Sequence, residues 1–176
     1  MKATIGGRRF SREWALQFLF QSEFNQDATL DDTLRLFWEN QDEEITGTVQ
    51  SKYEPDETNP DREKRIRLEA RQFAEELIRG VLLHHVEIDE LIRRHAKYWA
   101  VERLGTVERN AIRIAVFELL YLRRIPPAVS INEAIDLAKI FSSRESGKFV
   151  NGVLDNIHRQ IVEEGLPTDA AKKGKA

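Results

Sequence analysis

The sequence contains no cysteine among its 176 residues, which excludes disulfides, cysteine nucleophiles and thiolate metal sites. Long apolar runs are missing too. Nothing approaches the roughly 18 residues of a membrane span, and the amino terminus lacks an apolar signal core. The expectation is a cytoplasmic protein with no membrane association. Enzymatic signatures are also lacking: there is no glycine-rich phosphate loop, no G-x-S-x-G and no H-E-x-x-H. Histidine is sparse, and His84, His85, His95 and His158 lack ligand spacing to one another, so they read as surface or partly packed side chains. No cofactor, metal or catalytic activity is expected. Convincing strand alternation is absent as well, which leaves an all-helical fold.

What is present is enough apolar material, 41% of residues, to build a core, and a charged fraction of 32% to solvate it. The length fits one domain. The net charge of −3 hides an uneven distribution. Between Glu39 and Glu63 nine acidic residues face two basic ones, so the rest of the chain is net positive. Lys2, Arg8, Arg9 and Arg12 gather at one end, and Lys172, Lys173 and Lys175 at the other. A basic arm beside an acidic loop leaves nucleic-acid binding open despite a pI near 5.9.

Along the chain, residues 1–10, with Gly6 and Gly7, read as a flexible basic arm, and Ser11 as the cap of a helix running to about Asn25. A short second helix, capped by Asp31 or Asp32, turns Leu34, Phe37 and Trp38 inward. Residues from about 41 to 60, broken by Gly47, Pro55 and Pro60, form an acidic insert. From Asp61 the spacing of Ile66, Ala70, Phe73, Ala74, Leu77, Ile78 and Val81 predicts a long helix ending near His84 or His85. A further helix carries Ile88, Leu91 and Ile92. The segment Val107 to Arg124 is apolar on nearly every side and belongs in the middle of a domain. Ser130 with Glu133, and Ser142 with Glu145, read as capping boxes for two final helices, the last stopped at Gly165 and Pro167. The body therefore spans residues 11–164, followed by a basic tail, 165–176.

Candidate chemistry is sparse. Glu118 falls among apolar residues of the central helix; a buried carboxylate there reads as part of a structural ion pair rather than a catalytic acid. Binding features are richer. Arg8, Arg9 and Arg12 lead into the first helix, and guanidinium groups suit bidentate phosphate contacts. Trp14, Ala15, Leu16, Phe18 and Leu19 share one arc of that helix, while Phe20 and Phe24 fall outside it. In the last helix, Val150, Val153, Leu154, Ile157 and Ile161 define the apolar face. Phe149 lies about 90° away from their centre, next to Lys148 and with Gly152 leaving room. An aromatic in basic company is a base-stacking platform.

Three stretches, RRFSREWALQFLFQ, RLGTVERNAIRIAVFELLYLRRIPPAVSINEAIDLAK and SGKFVNGVLDNI, resemble the NusB family of transcription antitermination and ribosomal RNA biogenesis factors. The likeness covers nearly the whole chain except the acidic insert and the tail. It implies an all-helical NusB-like fold of about seven helices in two packed bundles, and no catalysis. It also implies binding to boxA RNA together with NusE, the ribosomal small-subunit protein, within an RNA polymerase antitermination complex that includes other Nus factors. Such a complex promotes read-through and maturation of ribosomal RNA transcripts. By position, the resemblance puts Arg8, Arg9 and Arg12, with Lys2, in the family's basic RNA-binding arm. Phe20 takes an aromatic position on the same face, Lys148 and Phe149 match the K-F of the RNA-proximal motif, and Glu145 borders the RNA surface. Glu108, with Arg109, matches the NusE side. Phe10 interrupts the basic run common in relatives.

Two other classes compete. NusB-like helical domains also occur fused to RNA cytosine methyltransferases, but that chemistry needs a catalytic cysteine and an α/β cofactor domain, so this chain would serve only as an accessory RNA-binding module. A purely protein-binding helical adaptor, its acidic insert attracting basic partners, is the other.

Overall fold

The computed structural model describes residues 4–24, 29–44, 60–96 and 104–165. Among them are seven helices and no strand: α1 (Thr4–Ser22), α2 (Leu30–Glu44), α3 (Pro60–Leu83), α4 (His85–His95), α5 (Thr106–Tyr121), α6 (Pro127–Phe141) and α7 (Arg144–Glu164). The chain divides into two compact units, Met1–Glu75 and Glu76–Ala176, with the boundary inside α3. No helix among the described residues is long and apolar enough to cross a membrane.

In the first unit, the predicted apolar arc of α1 is buried from Trp14 to Leu19 apart from Gln17, and Leu34, Phe37 and Trp38 of α2 are buried as expected. The core is aromatic: Phe18 meets Phe37 edge-on at 5.4 Å between centroids, and Trp14 meets Trp38 at 5.5 Å. Such pairs add about 0.5–1.5 kcal/mol beyond their burial.

The amino-terminal reading needs correction. Helix α1 begins at Thr4, within the expected flexible arm, and Ser11 is no cap. Ser11 is fully buried in mid-helix, its hydroxyl 2.9 Å from the Gly7 carbonyl and 2.8 Å from that of Ala70 in α3. A buried hydroxyl needs such a partner. Tertiary contact here overrides the local preference of two glycines for coil. Lys2 lies outside the described residues.

Helix α2 is also capped earlier than expected, by two or three residues. Thr29, not Asp31 or Asp32, accepts the Asp32 backbone N–H at 3.2 Å, and its hydroxyl donates to the Asp32 carboxylate at 2.7 Å. The helix continues through Glu44 and buries Gln41, so the first residues assigned to the acidic insert are helical. Residues 45–59 of that insert lie outside the described residues.

The buried side chains of the second unit are mostly aliphatic, with Phe117 among them. From Asn110 to Leu120 every residue of α5 but Arg113 is buried, Glu118 included, which matches its reading as the central helix. Helix α5 packs against α6 and α7, and α4 against α5 and α7. Helix α6 starts differently from expectation: Pro126 occupies the cap position and Pro127 the first helical one, where a missing N–H costs nothing. Ser130 is therefore inside the helix, buried, and donates to Glu118. The buried carboxylate is thus part of the core's polar bracing. Helix α7 is capped by Ser143, which accepts the Ser146 N–H at 3.2 Å; the Ser142–Glu145 box does not form. Gly165 closes it in the left-handed region at φ 56°, a conformation glycine adopts without a Cβ penalty. The tail beyond it lies outside the described residues.

Candidate nucleic-acid interface

Within the first unit, α1 presents the predicted arginines in three different states. Arg8 is exposed, its guanidinium 5.1 Å from the centroid of the Phe73 ring. Arg9 is half-buried and pairs with Glu13 one turn on, at 3.6 Å. Arg12 is only 3% exposed; it also lies over Phe73, at 5.6 Å, and donates to the Arg8 carbonyl at 3.3 Å. A desolvated cation on an aromatic face gains about 2 kcal/mol or more. Arg12 thus braces the turn from which Arg8 and Arg9 project. Sequence reasoning misses Phe73 as a site residue: its helical spacing assigns it to the core, and nothing local signals that two cations from another helix rest on it.

Phe20 is 40% exposed and Phe24 70%, their centroids 5.5 Å apart. Both lie off the buried arc, as the helical phase requires.

In the second unit, Glu145, Lys148, Phe149, Gly152 and Asn156 share one side of α7 by helical spacing. Glu145, Lys148 and Gly152 are exposed, and Phe149 is half-buried. A Cβ at Gly152 would meet nothing within 4 Å, so the approach to Phe149 is open on that side. Gly147 is the opposite case: a Cβ there would fall 2.6 Å from the Lys139 stem, so glycine is what lets α6 and α7 approach directly before Lys148.

Glu108 stands in the first turn of α5. It is half-buried, and Oε1 accepts the Ser142 hydroxyl at 2.6 Å and the Ser146 hydroxyl as well. Burial disfavours its charge, but the two serine hydroxyls and its own backbone N–H outweigh that and hold the carboxyl below its ordinary value of 4.5. Ser142, expected to cap a helix, is spent on this carboxylate instead. Arg109 is half-buried beside it, its backbone N–H bonded to the Gly105 carbonyl at 3.0 Å.

His84 stacks on Tyr121 at 4.0 Å and His95 bonds to Gln160. Among the described residues no group of three or more His, Asp or Glu is placed to hold a metal.

Residues 9–159 match the NusB family. The transcription antitermination protein NusB of Myxococcus xanthus is 40% identical over 153 residues, 87% of this chain and 95% of that protein. Among solved structures, T. maritima NusB superposes with a TM-score of 0.63 at 36% identity, covering 87% of this chain and 91% of that one. NusB solved with NusE and double-stranded RNA superposes with a TM-score of 0.64 at 28% identity, covering 87% and 96%.

Proposed function

We propose, starting from the fact that the chain belongs to the NusB family, that it is a cytoplasmic antitermination factor that binds boxA RNA together with NusE. It is a binding protein, not an enzyme. In this reading it joins RNA polymerase and other Nus factors in a complex that promotes read-through and maturation of ribosomal RNA transcripts. The observation that carries the RNA assignment is Phe149, held half-buried beside an exposed Lys148 with nothing over Gly152. An aromatic kept partly outside the core, next to a cation, fits an unstacked base and its phosphate.

The units contribute separately. In the first, Arg8 and Arg9 meet phosphates while Arg12 fixes their turn, and Phe20 offers a ring. In the second, Lys148 takes a phosphate, Phe149 stacks, and Glu145 borders the RNA, disfavouring backbone on its side by like charge. The first turn of α5, with Glu108 and Arg109, is the NusE side. Glu108 acts there by holding the α6–α7 connection, not as an open charge.

The test is a titration of boxA RNA and a boxA point-mutant series, with and without NusE. Tighter binding of intact boxA in the presence of NusE, abolished in the point mutants, is expected. NusE binding with no RNA contribution would replace the proposal with a protein-binding adaptor.

A further inference from the structure

The first unit carries a groove that includes none of the residues assigned above. Trp14, Trp38 and Leu68 form its floor and one edge, and Lys64, Arg67 and Arg71 of α3 line its rim around about 170 Å³. The two indoles are more than nine-tenths buried and meet at right angles. Arg71 lies 4.8 Å from the centroid of the Trp38 ring and is steadied by Glu75 at 3.2 Å. Trp38 Nε1 is buried with no hydrogen-bond acceptor among the described residues. Leu68 is 56% exposed at the edge.

Three cations at positions 64, 67 and 71 fall on one side of a helix, where like charges repel by a few tenths of a kcal/mol per pair. Lys64 and Arg67 are exposed, and no ion pair holds them among the described residues. In a chain of net charge −3 this is a local positive rim over an apolar floor to which two perpendicular, largely buried indoles contribute. A bare phosphate has no use for the apolar floor. A nucleotide uses both floor and rim: its base lies on the apolar side and its phosphate on the rim. The volume is below the roughly 300–1,000 Å³ of pockets for larger ligands and suits a single base.

We propose that this groove binds one nucleotide of single-stranded RNA, with the base against Trp14, Trp38 and Leu68 and the phosphate on Lys64 and Arg67. The proposal deepens the RNA-binding reading and gives the first unit a second RNA-binding point, separate from the arginines of α1.

The test uses intrinsic fluorescence, because two of the three tryptophans line the groove. The full-length Trp99→Phe protein, and the wild type beside it, are titrated with a short oligouridylate lacking boxA. Inorganic phosphate and an oligoglutamate peptide serve as comparison probes. Saturable quenching by the oligouridylate is expected. The double variants Lys64→Gln/Arg67→Gln and Lys64→Glu/Arg67→Glu should weaken it by about tenfold or more with unchanged melting temperature, while Arg8→Ala/Arg9→Ala should leave the groove's own quenching in place. No quenching, quenching indifferent to both double variants, or stronger binding of the peptide than of the RNA overturns the proposal. Loss of boxA binding with quenching intact would instead count against the antitermination reading alone.

Discussion

In the first unit the guanidinium groups of Arg8 and Arg12 rest on the ring of Phe73. In the second, Arg113 is clamped by both oxygens of Asp89 at 2.7 Å, with Asn110 at 3.0 Å, and Arg124 is held by Glu76. Both devices immobilise a long side chain, but they leave different charges behind. A ring attracts a cation through its quadrupole and carries no net charge, so the guanidinium stays fully positive. A carboxylate neutralises it. Arg8 has an aromatic support and, among the described residues, no ion pair, so it remains available to a phosphate. Arg113 is a brace between α4 and α5.

The difference between the units is most exposed to attack at Asp89. Asp89→Ala leaves Arg113 half-buried without its clamp and should cost about 3 kcal/mol of stability, read by denaturant melts, with RNA affinity of the folded protein unchanged. A loss of RNA affinity would mean that the brace also serves the interface.

Phe149→Ala should act the other way. Base stacking is worth about 1–3 kcal/mol, so RNA binding should weaken by roughly five- to a hundredfold. Melting and titration on the same variant separate this from a core role. Strong destabilisation with unchanged affinity would sink the stacking assignment.

Arg12→Ala carries the contrast inside one helix. Because Arg12 is buried on Phe73, truncation should cost about 1–2 kcal/mol of stability. A solvated arginine would cost nothing, so an unchanged melting temperature would contradict the seat of Arg12 on Phe73.

The smallest effect concerns Glu108. Its pKa falls on folding, so its stabilisation is fully present above the ordinary value of 4.5 and is lost as pH drops through the lower folded value. Glu108→Gln should flatten that acid limb of the melting temperature and change little at neutral pH. A variant whose acid limb matches the wild type would remove Ser142 and Ser146 as its anchors.

How far the sequence carries this picture depends on the distance over which each feature is decided. The spacing of Phe73, Ala74, Leu77, Ile78 and Val81 marks α3 because an amphipathic helix records its own period, and all five are buried. Gly165 marks the end of α7 because a left-handed residue is a local demand. The serines mislead for the opposite reason. Ser11 bonds to Ala70, 59 positions away, Ser130 to Glu118 across the turn between α5 and α6, and Ser142 to Glu108. A hydroxyl that looks like a cap cannot announce a distant partner. The site residues divide similarly. The helical phase of Phe149 and Phe20 places both outside the core, but the burial of Arg12 and the support from Phe73 depend on α1 and α3 meeting.

The central claim is that arginines held on aromatic faces, not by carboxylates, carry the RNA-binding charge of the first unit. It is tested most directly by the salt dependence of RNA affinity in Arg8→Ala, with Arg9→Ala, whose guanidinium pairs with Glu13, as the comparison. For a single-stranded RNA the log–log slope should fall by about 0.7 for each phosphate that the variant no longer neutralises, with the melting temperature nearly unchanged. A slope in Arg8→Ala equal to that of the wild type would contradict the claim.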